Sequence, residues 1–155
     1  GAFDAREMRD EEDEDAVCER CVFGWTVAND VTARKLQKEH QQWFLGKSCD
    51  TFCPMSPWVI GADEQPWSAL NGSRLETRVN GELRQTADVR DMIFSVATLI
   101  KTMSRYQTLR PGDVILCGTP SGVGAGQKPE PKFLRPGDEV AISIDGVGRL
   151  TNRVR

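Results

Sequence analysis

At 155 residues the chain has the length of one domain and can bury a core without disulfides. Its 39% hydrophobic and 28% charged residues are typical of a soluble globular protein. The net charge of -3 argues against a nucleic-acid-binding protein. No apolar run approaches the roughly 18 to 20 residues that cross a bilayer, which argues against a membrane protein. The N-terminus resembles neither a secretory signal nor a transit peptide, so we expect a cytoplasmic location, or a mitochondrial one in a eukaryote.

The five cysteines are Cys18, Cys21, Cys49, Cys53 and Cys117. An odd number at irregular spacing favours reduced thiols over a disulfide framework. The two close pairs weakly suggest a zinc site, while the alternative is a set of small, buried apolar side chains. The composition favours the second interpretation.

Residues 1–20 are strongly polar, and we expect them to be partly flexible. The acidic residues at positions 10–15 are typical of the start of a helix, where the helix dipole favours negative charge. Ala16, Val17 and Cys21 are then expected to form the inner face of a short helix.

The densest group of polar side chains follows an apolar, strand-like run at residues 22–28. Residues 31–40 are good helix formers, and Asp30, Arg34 and Gln37 recur at i, i+4 and i+7. This spacing predicts that the three side chains share one helix face. The alternative is an ordinary helix start with Asp30 as its N-cap and a surface ion pair to Arg34.

Residues 43–54 are expected to form a loop with little regular structure. Lys47 lies in this loop among aromatic and aliphatic residues. Such a lysine is either a partly buried cation that binds an anion, or a side chain whose ammonium group reaches out to solvent.

The second half of the chain predicts a sheet covered by a helix. Asn80-Gly81 is a strong hairpin turn signal, with alternating strands over residues 74–86. Residues 91–105 have helical periodicity. The apolar residues that recur on this helix and are expected to face the core are Met92, Ile93, Val96, Leu99, Ile100 and Met103. Further strands are predicted at residues 58–60, 114–117, 140–144 and 146–154, and a turn-rich link at 63–68.

A glycine-rich loop at residues 118–126 follows the predicted strand 114–117. Its glycine spacing matches neither a P-loop nor a dinucleotide-binding motif, and Lys128-Pro129 prevents a following helix. We therefore expect a flexible loop that presents Thr119 and backbone amides to a small anionic ligand.

Five segments resemble the fumarylacetoacetate hydrolase family, in the family's own order, and the resemblance extends over about residues 17–154. They are residues 23–34, 43–54, 79–85, 111–124 and 133–140. The resemblance implies an α+β, mainly β fold: a β-roll of mixed sheets with a few short helices, found as a homodimer. It implies one domain over residues 1–155. It also implies a Mg²⁺- or Mn²⁺-dependent enzyme that cleaves, decarboxylates or isomerises small β-keto or diketo carboxylates.

The resemblance also implies roles for individual residues. Asp30 matches a metal ligand, and Arg34 and Gln37 match residues that steady the metal site and the substrate. Lys47 matches the lysine that stabilises developing negative charge. Thr119 matches the hydroxyl that holds the substrate carboxylate. A hard cation bound by carboxylate oxygens and a nearby ammonium group would both stabilise an enolate.

The chain departs from the family pattern at its N-terminal end. The family has a Glu-x-Glu pair on an apolar strand upstream, and a His–Glu pair further upstream in its hydrolases. Glu12-Asp13-Glu14 matches the Glu-x-Glu pattern in residue type but lies in a polar run rather than on an apolar strand. It is therefore not assigned as a pair of metal ligands. His40 follows Asp30 and is not the catalytic histidine by position. The chain therefore resembles the C-terminal part of the family domain, with one metal carboxylate instead of three.

Three hypotheses remain open from the sequence. The first is an enzyme of this family. The second is a non-catalytic remnant that serves as a dimerisation or ligand-binding module. The third, which the sequence favours least, is a metal protein that uses the cysteine pairs.

Overall fold

The computed structural model describes residues 13–155. Predictions on residues 1–12, including the first half of the acidic run, lie outside this part of the chain. The helices are α1 (Glu14–Cys21), α2 (Arg34–His40), α3 (Trp43–Lys47), α4 (Trp67–Leu70) and α5 (Val96–Ser104). The strands are β1 (Gly24–Trp25), β2 (Ile60–Gly61), β3 (Arg74–Val79), β4 (Glu82–Asp88), β5 (Glu139–Ile144) and β6 (Gly148–Arg153). Short 3₁₀ turns occupy Val89–Asp91 and Gly124–Gly126.

The strands form two open antiparallel sheets. The larger sheet has the order β4-β3-β5-β6, and the smaller one pairs β1 with β2. Asn80 and Gly81 connect β3 to β4 with φ angles of 52° and 81°, as a two-residue turn with left-handed geometry requires. The predicted hairpin is therefore confirmed, as is the α+β class with its short helices.

The core lies where α1, α4 and α5 meet the larger sheet. Trp25 and Trp67 pack with their ring centroids 5.8 Å apart, and the Trp25 indole nitrogen donates to the Gln65 carbonyl at 2.7 Å. The buried apolar side chains of this core lie mainly on these helices and on β5 and β6, with two in loops. They are Val17, Cys18, Val27, Trp67, Leu70, Val96, Ala97, Ile100, Val140, Ile142, Val147 and Leu150. No helix in residues 13–155 is long and apolar enough to cross a membrane.

The two longer helices differ from the sequence predictions at their starts. Helix α5 begins at Val96, because the Ser95 hydroxyl accepts a hydrogen bond from the Thr98 amide and caps the helix there. Ile93 lies before that cap and is 91% exposed, so its assignment to the core is wrong. In α1 the inner face is formed by Val17, Cys18 and the partly buried Cys21, as predicted for Val17 and Cys21, whereas Ala16 is exposed.

Several predicted boundaries are also wrong. The strand predicted over residues 22–28 is reduced to β1, and residues 43–54 contain helix α3 rather than only a loop. The turn-rich link at 63–68 leads into α4. Residues 114–117 have no ladder partner among residues 13–155, and Val114 and Leu116 are exposed. Strand geometry depends on hydrogen bonds to a neighbour, so apolar character alone overpredicted a strand there.

Candidate functional site

Asp30 is positioned by two chain segments that run side by side. The Asn29 amide donates to the Pro54 carbonyl at 3.0 Å, and the Ser56 amide donates to the Val27 carbonyl at 2.8 Å. A β-bridge joins Ala28 to Met55 between these two bonds. The backbone immediately before Asp30 is therefore held by the segment that follows α3.

Close packing between α2 and α3 brings Lys47 to Asp30. The Ala33 amide donates to the Gly46 carbonyl at 2.8 Å. Gly46 is buried, and a Cβ added there would lie 2.8 Å from the Gln37 Cβ. Only glycine allows the two helices to approach so closely. Lys47 ends α3 directly after this contact.

Lys47 and Asp30 form an ion pair, in which the Lys47 ammonium donates to Asp30 Oδ2. The Lys47 ammonium also lies 5.7 Å from the centroid of the Trp43 ring, within the range of a cation–π interaction. The Lys47 and Asp30 side chains retain 26% and 36% exposure, so a small ligand can reach both. Lys47 is thus a partly buried cation whose partner in this structure is the Asp30 carboxylate.

Arg34 and Gln37 lie on α2 but do not share a helix face with Asp30. The helix begins at Arg34 after Ala33, and no side chain caps it, so Asp30 is not its N-cap. Arg34 Nη1 instead donates to Gln37 Oε1 at 2.9 Å. The predicted Asp30–Arg34 pair is therefore replaced by two pairs, Asp30 with Lys47 and Arg34 with Gln37.

Thr119 is held by the large sheet. Its hydroxyl oxygen accepts a hydrogen bond from Gln85 Nε2 at 2.8 Å, and Gln85 lies on β4. Thr119 is exposed. Gln85 Nε2 also donates to the Pro120 carbonyl at 2.9 Å, and Gln127 Nε2 donates to the Gly122 carbonyl at 2.7 Å. Sequence reasoning did not single out Gln85, although it ends the 79–85 segment that resembles the family and lies on a predicted hairpin strand.

The described residues do not complete a metal site. Within residues 13–155, no three histidine, cysteine, aspartate or glutamate side chains lie together in a way that could hold a metal ion. The zinc site suggested by the cysteine pairs is therefore contradicted. Cys18 is instead part of the core, and desolvation by burial, assisted by the nearby Glu14 carboxylate, raises its thiol pKa to about 12.

Comparisons with known proteins identify the family and the fold. The family model described as "Fumarylacetoacetate (FAA) hydrolase C-terminal" matches residues 1–155. The chain belongs to the fumarylacetoacetate hydrolase family. A relative from Bacillus subtilis, oxaloacetate tautomerase YisK, is 53% identical over 135 residues, which are 86% of this chain and 43% of the relative.

Solved structures agree with this assignment. A fumarylacetoacetate hydrolase from Exiguobacterium antarcticum superposes with a TM-score of 0.85 at 47% identity, over 96% of this chain and 51% of the other. A fumarylpyruvate hydrolase from Pseudomonas aeruginosa, in complex with Mn²⁺ and pyruvate, superposes with a TM-score of 0.79 at 31% identity, over 92% and 58%. The chain thus spans about half the length of the relatives it matches, and the predicted family and fold are confirmed.

Proposed function

We propose that this chain is part of a divalent-metal-dependent enzyme of the fumarylacetoacetate hydrolase family that acts on small β-keto or diketo carboxylates. The observation that carries the proposal is the contact between the Lys47 ammonium and the Asp30 carboxylate. Any oxygen bound next to Asp30 lies within reach of that ammonium group. Isomerisation, decarboxylation and C–C hydrolysis of keto acids all pass through an enolate, whose negative charge such a group can stabilise.

Each proposed site residue has a part in this scheme. Lys47 stabilises the negative charge that develops on the substrate's enolate oxygen. The Thr119 hydroxyl donates a hydrogen bond to the substrate carboxylate. The Arg34–Gln37 pair, fixed at 2.9 Å on α2, orients the substrate. The exposed positions of Thr119 and of the Asp30–Lys47 pair are consistent with binding from solvent.

Asp30 is proposed as one ligand of Mg²⁺ or Mn²⁺, with the remaining ligands outside residues 13–155. A bound divalent cation would polarise the substrate's carbonyl group. The cation is supported by the Mn²⁺ in the fumarylpyruvate hydrolase structure, and the keto acid by the names of the tautomerase and the hydrolase. We further propose a homodimer, as the family resemblance implies, and a cytoplasmic location.

The test is a substrate panel on the full-length product of the gene that encodes this chain. Oxaloacetate, acylpyruvates and fumarylacetoacetate are assayed with Mg²⁺, with Mn²⁺ and with chelator. Lys47→Met is expected to lower kcat by about 10²–10³, the usual effect of removing one group that stabilises a developing oxyanion. Lys38→Met is the matched control, because Lys38 is exposed on α2. Unchanged kcat in folded Lys47→Met protein would contradict the assignment.

A second candidate function is a non-catalytic module that binds a ligand or forms a dimer. It is favoured by the absence of a three-ligand metal cluster from residues 13–155. This candidate predicts no turnover of any panel substrate, with pyruvate binding or dimer formation retained. Calorimetry with pyruvate and sedimentation of the same preparation separate it from the enzyme.

A further inference from the structure

The side-chain amide of Gln85 joins β4 to the start of the glycine-rich loop. Its Nε2 atom lies 2.8 Å from the Thr119 hydroxyl oxygen and 2.9 Å from the Pro120 carbonyl oxygen. A backbone carbonyl can only accept a hydrogen bond, so the atom facing Pro120 must be the amide nitrogen rather than the amide oxygen. The two hydrogens of this nitrogen are thus directed at the two oxygens.

This geometry determines whether the Thr119 hydroxyl donates or accepts the hydrogen bond with Gln85. A threonine hydroxyl can donate one hydrogen bond and accept two. Because Gln85 can only donate through Nε2, the Thr119 oxygen acts as the acceptor in their contact. The hydrogen of the Thr119 hydroxyl takes no part in the bond to Gln85, so the hydroxyl can donate it to an anion on the exposed side.

The rest of the glycine-rich loop is held by further hydrogen bonds and by close packing on β4. Gln127 Nε2 donates to the Gly122 carbonyl at 2.7 Å, and the Lys132 amide donates to the Gly124 carbonyl at 2.9 Å. Gly122 packs so closely on β4 that an added Cβ would overlap the Arg84 carbonyl oxygen. Hydrogen bonds and backbone packing therefore both attach the loop that carries Thr119 to its surroundings.

We propose that Gln85 is a positioning residue, which orients the Thr119 hydroxyl as a hydrogen-bond donor to the substrate carboxylate. The proposal rests on the function proposed above for Thr119. Gln85 acts through Thr119 and does not itself touch the substrate. Its loss should weaken substrate binding more than it slows the chemical step, since in the proposed scheme Thr119 contacts the carboxylate and Lys47 contacts the enolate oxygen.

Gln85→Glu tests the direction of the hydrogen bond in the full-length protein. An ionised carboxylate can only accept, so it turns the Thr119 hydrogen toward itself and away from the substrate. KM for oxaloacetate is expected to rise by about tenfold, equivalent to one hydrogen bond to a charged group, with kcat changed less than about threefold. Lowering the pH toward the ordinary glutamate pKa of about 4.3 protonates the introduced carboxylate. The difference in KM between the Gln85→Glu variant and the wild type should then become smaller.

Control variants separate this role from simple loosening of the loop. Gln127→Met removes a loop anchor that does not touch Thr119, and KM should stay within about threefold of wild type. Gln85→Met should raise KM less than Gln85→Glu, since it leaves the Thr119 hydroxyl free to rotate. In a Thr119→Val background, Gln85→Glu should cause little further change in KM. Thermal unfolding of each variant checks that it is folded.

The outcomes distinguish the two proposals. If Thr119→Val leaves KM and the dissociation constant of pyruvate unchanged, the function proposed for Thr119 fails, and the role of Gln85 fails with it. If Thr119→Val weakens binding but Gln85→Glu does not, only the role of Gln85 is overturned. The same holds if the effect of Gln85→Glu is independent of pH and of Thr119.

Discussion

Gly122→Ala is expected to detach the glycine-rich loop from β4, and Gly118→Ala is its matched control. Both glycines have left-handed backbone angles, with φ of 104° at Gly122 and 100° at Gly118. An alanine at either position carries the same conformational cost, about 1–3 kcal/mol. They differ in what the added methyl group meets. At Gly122 it overlaps the Arg84 carbonyl oxygen, whereas at Gly118 nothing lies within 4 Å.

The overlap at Gly122 involves two stretches of backbone, so a side-chain rotation cannot relieve it. The loop must move by on the order of 1 Å to restore ordinary contact with the Arg84 carbonyl. A shift of that size lengthens the hydrogen bonds from Gln85 to Thr119 and Pro120, now 2.8 and 2.9 Å, beyond hydrogen-bonding distance. Two lost bonds at about 0.5–1.5 kcal/mol each add about 1–3 kcal/mol to the cost of Gly122→Ala alone.

Chemical denaturation of the two variants measures this difference directly. Gly122→Ala should be less stable than Gly118→Ala by about 1–3 kcal/mol, which for a chain of this size is a difference of several degrees in Tm. Gly122→Ala should also weaken pyruvate binding, because Thr119 moves with the loop. Equal free energies of unfolding for the two variants would refute the idea that the Gly122 contact braces the loop.

Two further predictions concern other parts of the structure. Calorimetry should show that Asp30→Ala abolishes weak binding of Mg²⁺ or Mn²⁺ to this chain. Glu39→Ala is the control and should not abolish it, because Glu39 is exposed on α2. Micromolar binding that survives Asp30→Ala would contradict the assignment of Asp30. Asp138 accepts hydrogen bonds from the Asn80 side chain and from the Arg135 amide, which lower its pKa below 3.8. A carboxyl whose pKa is lower in the folded state than in the unfolded state stabilises the fold at pH values above its unfolded-state pKa. That stabilisation is lost as the pH falls through its folded-state pKa. Asp138→Asn should therefore flatten the pH dependence of urea unfolding below about pH 4, and an unchanged slope would argue against this coupling.

Local sequence signals predicted those elements whose structure is determined locally. The Asn80-Gly81 hairpin is correct because the turn needs positive φ at both positions and the flanking strands alternate. Helix α5 was found from its periodicity, but its start was placed too early because the cap at Ser95 was overlooked. Residues 114–117 failed as a strand because ladder pairing is a tertiary property that apolar character does not report.

The pairings within the candidate site could not be predicted from the sequence. Family resemblance identified Asp30 and Lys47, which are 17 positions apart, and their contact depends on helix α3 and on the close approach at Gly46. Helix α3 was not expected, so no rule based on spacing could have paired these two side chains. Periodicity on one assumed helix paired Asp30 with Arg34 instead, and the late start of α2 removed the basis of that pairing.

The two groups of proposed site residues are held in place by different elements, so we expect them to act separately. Asp30 and Lys47 are fixed by the packing of α2 on α3 and by the bridge between Ala28 and Met55. Thr119 is fixed from the large sheet through Gln85. Since neither support depends on the other, substitutions at Gly46 should affect the chemical step, and substitutions at Gln85 should affect carboxylate binding. Additive free energies for a Gly46–Gln85 double variant would follow from this separation, because sites without shared partners usually contribute independently.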